Sequence, residues 1–413
     1  MTPPLGQEFK PHESPQLDDP FPFYARLRRE APVTFAPAFG LYLVSKYQDV
    51  LTCLKDPKRF SSSQVLVSPI KFAPEVEKLL TDAGFTQQYP LVGQDPPAHS
   101  RTRGFANKAF SPARVTALAP RIQQIAEECI KNLESQAPRA DIVATLTYPL
   151  PLQVTCEMLG IGKEDWQKVG QWCEAPLFLF HPGNTPEQQM QLAQGVAEYW
   201  RYLKALVEER RANPRQDDIL TALIEARIDG EKPLDTVEMV NLLATLVFGA
   251  QRPTTHLIGS MVLYLLRQPE SWKQLVANPA LIPQAIEEAL RYDAPASSMM
   301  RLVTEDVVLS GTTVPKGSRL LLLFAAANRD EEVFKDAERF DITRESANRH
   351  LGFGHGTHGC LGVQLARMQV RAAMELLIKR LPNLRLVPNE APTYMPNILA
   401  RGPQRLMVEW TPA

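Results

Sequence analysis

Phe353-Gly354-His355-Gly356-Thr357-His358-Gly359-Cys360-Leu361-Gly362 is where the sequence commits itself most firmly. Its four glycines make a tight, close-packed turn. Directly after it, Leu361, Leu365, Met368, Ala372 and Leu376 fall on one face of a helix. Cys360 is therefore placed at or just before a helix N-terminus. Free amides and the helix dipole there lower a thiol's pKa and stabilise a thiolate. A buried structural cysteine is one competing reading. A zinc site from His355, His358 and Cys360 is another, weakened because no further cysteine supplies a fourth ligand at sensible spacing.

Outward from that loop, the other cysteines are Cys53, Cys129, Cys156 and Cys173. The odd total, the scatter and the lack of a C-x-x-C pair argue against disulfides and zinc knuckles. The 413 residues are 44% hydrophobic and 22% charged, ample for a large core. Length alone suggests two or three domains. No linker interrupts the chain, so one large domain over residues 1–413 is the expectation. Lys and Arg number 45 against 46 Asp and Glu, giving a net charge of -1. No global field then attracts nucleic acid or an anionic membrane. Met1 to Pro22 lacks a basic segment followed by an apolar one, and the longest apolar runs, Leu242–Ala250 and Leu320–Ala327, fall far short of a membrane span. A soluble, cytoplasmic monomer is expected.

Helical periodicity marks Pro22–Glu30, Lys46–Lys55, His99–Phe110, Pro112–Ser135, Leu150–Leu159, Pro186–Ala212, Asp217–Asp229, Asp235–Arg267, Pro269–Asn278, Ile282–Asp293 and Val363–Leu381. Strand-like runs are fewer: Val33–Phe35, Leu41–Val44, Val307–Leu309, Arg319–Phe324 and Leu406–Trp410. The balance predicts a mainly α fold with small, peripheral β-sheets. Ser61–Gly93 and Glu174–Gln189 read as covers, being long and broken by Ser, Pro or Gly.

The cysteine loop resembles the haem signature of the cytochrome P450 family, F-x-x-G-x-x-x-C-x-G, through Phe353, Gly356, Cys360 and Gly362. The resemblance implies the P450 fold, with haem b (iron-protoporphyrin IX) between a long central helix and the Cys360 loop with its following helix. Cys360 is then the axial iron ligand, and a thiolate there favours O–O cleavage. Three further stretches extend the likeness. Glu288-Ala-Leu-Arg291 matches the family's E-x-x-R, an i, i+3 ion pair. Ala337-Glu338-Arg339-Phe340 resembles the meander that supplies its third partner, which makes Arg339 that partner. Asp95-Pro96-Pro97-Ala98-His99-Ser100-Arg101-Thr102-Arg103 resembles a helix start that gives haem propionates a His and an Arg, here His99 and Arg103 at i, i+4. Arg301, ahead of Thr304-Glu305-Asp306, and His358 are the remaining propionate ligands by resemblance.

The chain departs from the family in Leu243-Ala-Thr-Leu-Val-Phe-Gly249-Ala250-Gln251-Arg252-Pro253-Thr254-Thr255. The family pattern there is small-Gly-x-acid-Thr, whose acid and alcohol help deliver protons to bound dioxygen. Arg252 replaces the acid and Pro253 the alcohol. Arginine does not deprotonate usefully near neutral pH, and proline has neither hydroxyl nor N–H, so the helix should kink. A one-residue slip leaves Thr254 as the alcohol. Arg252 is either ion-paired with a neighbouring acid or an anchor for a substrate carboxylate or other acceptor. Fatty-acid peroxygenases within the family carry Arg-Pro here, though their cysteine loop differs from this one.

The likeness implies a haem-thiolate monooxygenase that hydroxylates or epoxidises a hydrophobic small molecule, such as a natural-product intermediate, in secondary metabolism. It would use dioxygen and electrons from NAD(P)H through a separate ferredoxin-type donor and its reductase. A peroxide-using or otherwise dioxygen-independent haem-thiolate enzyme is the alternative, and a non-catalytic haem protein a third. Family position nominates as pocket walls Val65 to Ile70, Phe178 to Phe180, Phe248, Ala250, Arg252, Ser297 to Met299 and Met395 to Ile398.

Overall fold

The computed structural model describes residues 4–411 apart from 64, 66–70, 87–88, 180–182 and 217. Two compact units emerge. One gathers the N-terminal segment through Ser62, Ala119–Pro151 and the chain from Arg252 onward; the other holds Ser63–Leu118 and Leu152–Gln251. Elements are numbered in chain order.

The first unit contains every strand among the described residues. Strands β1 (Val33–Ala36), β2 (Leu41–Val44), β3 (Phe60–Ser61), β5 (Met299–Val303) and β8 (Arg319–Leu322) form one sheet in the order β1-β2-β8-β5-β3. Pairing is antiparallel except β2 with β8, where Leu43 faces Leu321 in parallel register. Three smaller sheets follow, from β4 (Arg139–Asp141) with β12 (Met407–Glu409) and β9 (Arg385–Leu386), β6 (Val307–Leu309) with β7 (Thr312–Val314), and β10 (Thr393–Tyr394) with β11 (Pro403–Arg405). Helices α1 (Phe21–Glu30), α2 (Tyr47–Lys55) and α14 (Phe324–Ala327) close on the large sheet. Its two faces bury Val44, Leu320 and Leu322 on one side and Leu43, Leu321 and Leu323 on the other, the period-2 alternation of a sheet covered on both faces. Helices α6 (Ala119–Glu134), α12 (Pro269–Ala277), α13 (Ile282–Tyr292) and α15 (Val363–Arg380) complete the unit, with α15 packed on α6 and α13.

The second unit is helical: α3 (Pro74–Asp82), α4 (Ala98–Ala109), α5 (Pro112–Ala117), α8 (Trp166–Leu179), α9 (Pro186–Ala212) and α10 (Ile219–Glu225), with most of α7 (Pro149–Met158). Helix α9 starts on a capping box, Thr185 accepting from the Gln188 amide while the Gln188 side chain accepts from that of Thr185. It packs on α3 and α8. Helix α11 (Thr236–Arg267) begins in this unit and ends in the other. Its start is set by Asp235 and Glu238, each side chain accepting from the other's backbone N–H at 2.8 and 2.9 Å. No helix among the described residues is long and apolar enough to cross a membrane.

Several expectations need correction. The helix expected over Pro112–Ser135 is two, α5 and α6, broken at Leu118. Pro120 has no N–H to give and its ring opposes the carbonyl four residues back, so the chain restarts with Pro120 in the first turn of α6. The segment Glu174–Gln189, expected as an irregular cover, is helical at both ends, since α8 runs through Pro176 to Leu179 and α9 starts at Pro186. The segment Ser61–Gly93, expected as an irregular cover, contains α3, with Val76 and Leu80 buried four residues apart. The strand expected to reach Phe324 stops at Leu322, where the backbone turns into α14.

Candidate functional site

In the first unit, the Cys360 loop is built from backbone hydrogen bonds. The Gly354 N–H donates to Leu351 O at 2.8 Å, the Gly359 N–H to Gly356 O at 3.0 Å, and the Cys360 N–H to Phe353 O at 2.9 Å. Gly356 sits at φ 67°, and a Cβ there would come within 2.7 Å of the Leu54 carbonyl oxygen. Both the handedness and the close approach require glycine. A single turn of 3₁₀-helix, Gly356–His358, presents Cys360, and α15 starts three residues later with Gly362 as its N-cap. A Cβ on Gly362 would meet nothing within 4 Å. Cys360 is exposed, while Cys53, Cys129, Cys156 and Cys173 are buried. Burial pushes the Cys129 thiol up to about 12 and raises those of Cys53 and Cys156, so these three stay protonated.

Behind the loop, Glu288 and Arg291 are fully buried on α13. The Arg291 Nε and Nη2 donate to Glu288 at 2.7 and 2.8 Å. Arg291 also donates to the carbonyls of Asn328, Ala337 and Arg339 at 3.0, 2.8 and 3.1 Å. The expectation for Arg339 is corrected here. Its side chain is exposed, and what it contributes is its carbonyl. The second guanidinium on Glu288 is that of Arg344, whose Nε lies 3.2 Å from the carboxylate. Glu288 also accepts from the Asp341 N–H at 2.8 Å. Arg344 donates in turn to the Asp336 and Arg339 carbonyls, so one side chain ties the meander together.

Arg301 lies in β5 with its side chain buried, donating to Met300 O at 2.7 Å. His358 is half-buried in the cysteine loop. Among the expected wall residues of this unit, Ser297, Met395 and Ile398 line one cleft together with Tyr394, Arg401 and Gly402. The Ser297 and Ser298 hydroxyls both donate to Ile398 O, at 3.5 and 2.5 Å. Met299 is paired with Leu322 in the sheet.

Helix α11 runs helical through Pro253. Gln251, Arg252, Thr254, Thr255 and His256 are buried. The Arg252 Nη1 reaches the Met395 sulfur at 3.8 Å, so a cation is held against an expected wall residue. Burial, reinforced by the charges of Arg252 and Arg401, lowers His256 to about 3 and keeps it neutral. Gly402 leaves room for that ring, since a Cβ there would lie 2.4 Å from the His256 Cβ. His256 and Arg401 carry no motif, and the sequence gives no hint of them. Along α11 a stripe of Thr245, Leu246, Gly249, Ala250 and Pro253 stays accessible at i, i+4 spacing, and Phe248 is half-buried beside it.

In the second unit, His99 is buried in the first turn of α4, its N–H donating to Asp95 O at 3.0 Å. Arg103 lies one turn on, its Nε donating to Asn107 Oδ1 at 3.0 Å. Arg101 points elsewhere, pairing with Glu238 and Glu231. Phe178 is exposed near the end of α8, Leu179 is buried, and the Asn184 amide caps both carbonyls. Val65 is buried. The other expected walls here, residues 66–70 and 180, lie outside the described residues.

A haem suits the Cys360 loop better than a bare metal ion does. Cys360 offers one soft sulfur donor at an open position, and among the described residues no group of three His, Cys, Asp or Glu side chains is placed to hold a metal. The family model described as Cytochrome P450 matches residues 29–409. The chain is 35% identical to mycinamicin IV hydroxylase/epoxidase of Micromonospora griseorubida over 393 residues, 94% of each protein. It is 33% identical to cytochrome P450 monooxygenase PikC of Streptomyces venezuelae, over 98% of this chain and 93% of the relative. Among solved structures, cytochrome P450 CREJ in complex with (4-ethylphenyl) dihydrogen phosphate matches with a TM-score of 0.91 at 32% identity, covering 98% of this chain and 100% of the other.

Proposed function

The chain belongs to the cytochrome P450 family, and on that premise we propose that it hydroxylates or epoxidises an apolar small molecule, a natural-product intermediate, by inserting one oxygen atom. It is an oxidoreductase of the monooxygenase class, and its family carries haem. The observation that carries the reading is the exposed Cys360 at the tip of a glycine-shaped loop. Haem b is the form proposed. When bound, it supplies oxygen activation, and a thiolate ligand favours O–O cleavage. Cys360 would hold the iron, while His99, Arg103, Arg301 and His358 would take the propionates through charge-assisted hydrogen bonds. Electrons would arrive from NAD(P)H through a ferredoxin-type donor and its reductase.

Arg252 and Pro253 set the proton chemistry. Neither moves a proton, so the buried Thr254 hydroxyl, one residue on, is the group on this helix proposed to hold water and relay it. The fixed cation at Arg252 favours an apolar substrate that carries an acceptor, a carboxylate, phosphate or carbonyl. The structural neighbour's ligand, an ethylphenyl phosphate, has that build. A second reading, peroxide as oxidant, is favoured by the same Arg252-Pro253 pair, because a substrate acid bound at Arg252 would supply the missing acid–base group.

Isotope labelling tests this. Purified protein is given NADPH, a ferredoxin, its reductase, ¹⁸O-labelled dioxygen and a panel of apolar alcohols, esters and acids. One labelled atom in the product is expected. Product formed only with hydrogen peroxide overturns dioxygen as the oxidant, and no product on any probe with either oxidant overturns the enzymatic reading.

A further inference from the structure

Helix α13 carries two adjacent carboxylates that face different neighbours. Glu288 holds the meander through Arg344 and Asp341. Glu287 instead grips α15, accepting from the Arg367 Nε and Nη2 at 2.7 Å each, one oxygen to each nitrogen. It also accepts from His350 Nε2 at 3.2 Å. The His350 Nδ1 accepts the Gly352 N–H at 3.0 Å, so the ring proton belongs on Nε2 and the tautomer is fixed. Both partners of Glu287 lie against one ring. The Phe353 centroid is 5.7 Å from that of His350, and the Arg367 guanidinium carbon is 5.2 Å from it. The Phe353 carbonyl accepts the Cys360 N–H. His350 and Glu287 are buried at 3% and 13% side-chain exposure, while Arg367 is 42% exposed.

We propose that Glu287 is a positioning residue for Cys360: one carboxylate holds His350 and Arg367 against the Phe353 ring, and the backbone of that residue holds the Cys360 amide. The Phe353 ring is flanked by two side chains that charge-assisted hydrogen bonds hold in place, so α13 and α15 add to the loop's own backbone bonds in orienting the cysteine. This rests on Cys360 being the iron ligand.

The test uses the reduced carbon monoxide complex of the holoprotein, whose thiolate band near ~450 nm reports the loop. Its decay is timed in guanidinium, at equal distance below each variant's own far-UV unfolding midpoint. Global destabilisation is thereby removed from the comparison. In Glu287→Gln the decay should be about ten- to a hundredfold faster than in wild type, the scale of one charge-assisted contact. Arg367→Lys, which keeps the charge but loses the fork, should fall between. Arg371→Ala, on the exposed side of the same helix, should match wild type. Equal decay in wild type, Glu287→Gln and Arg367→Lys overturns the proposal. If Glu287→Gln gives no holoprotein, Arg367→Lys decides alone, and a wild-type decay in it overturns the proposal. Absence of the band in wild type would instead remove Cys360 as the ligand, a separate failure.

Discussion

Replacing Glu288 by alanine strips the one carboxylate from a site where Arg291 is fully buried. The guanidinium keeps three carbonyl acceptors, Asn328, Ala337 and Arg339, but loses both of its charged hydrogen bonds. Arg344 and the Asp341 N–H lose their acceptor at the same time. Breaking a buried ion pair from one side costs about 3–5 kcal/mol, because an uncompensated charge remains. Domains are stable by only about 5–15 kcal/mol, so a large share of the margin goes. The control is Glu270→Ala, which removes an i, i+3 pair with Lys273 of the same spacing, whose side chains are 86% and 69% exposed. That change should leave the unfolding midpoint where it was. Urea titrations followed by far-UV circular dichroism, with haem content measured in parallel, make the comparison. A Glu288→Ala protein that retains haem and unfolds at the wild-type midpoint would refute the argument, since it would mean that burial of the pair carries no energetic weight.

Three more outcomes are expected. His99→Ala and Arg103→Ala should each weaken haem retention by roughly 1.5–3 kcal/mol, read as faster haem transfer to an apo-acceptor, without altering which carbon is oxidised; unchanged transfer in the double variant removes them from the propionate site. Burial works to raise the Glu287 carboxyl, but the hydrogen bonds from His350 and Arg367 outweigh it and lower the group from 4.5 to about 2. Stabilisation of roughly 3 kcal/mol is thus present above the unfolded value and lost as pH falls through the folded one. The urea-midpoint gap between wild type and Glu287→Gln should then be full above pH about 4.5 and close toward pH about 2, and a gap independent of pH over that window contradicts it. Arg252→Ala should weaken binding of apolar acids by roughly 1.5–3 kcal/mol in Soret titrations while sparing matched hydrocarbons, and equal loss for both would show that Arg252 packs rather than recognises.

The parts of this fold that were legible in sequence are those where one residue type does one job. Cysteine in a glycine turn ahead of an apolar helix face is legible from the residues themselves, and Glu288 with Arg291 from their likeness to the family's E-x-x-R, since i, i+3 ion pairs are common on surface helices. Periodicity placed α11 within one residue of its start because Asp235 and Glu238 cap it by side-chain chemistry. What stayed hidden depended on direction. Arg339 and Arg344 lie five residues apart in one meander, and nothing in the sequence says that the first offers a carbonyl and the second a guanidinium. Helix α8 is hidden behind Pro176, which makes Glu174–Gln189 read as an irregular cover, although tertiary packing on α9 overrides it. Glu287 sits beside a motif residue and carries no signal of its own, since its partners are 63 and 80 residues away. The neutral His256 under Gly402 leaves no trace in spacing at all.

The account stands on Cys360 as a thiolate ligand, and one spectrum tests that. Carbon monoxide added to the dithionite-reduced wild-type holoprotein should place the Soret band at ~450 nm, the mark of a thiolate-ligated haem. Cys360→Ala, reconstituted with haem, should lack that band. A band that survives in Cys360→Ala, or is missing from freshly purified wild type with full haem content, would contradict it.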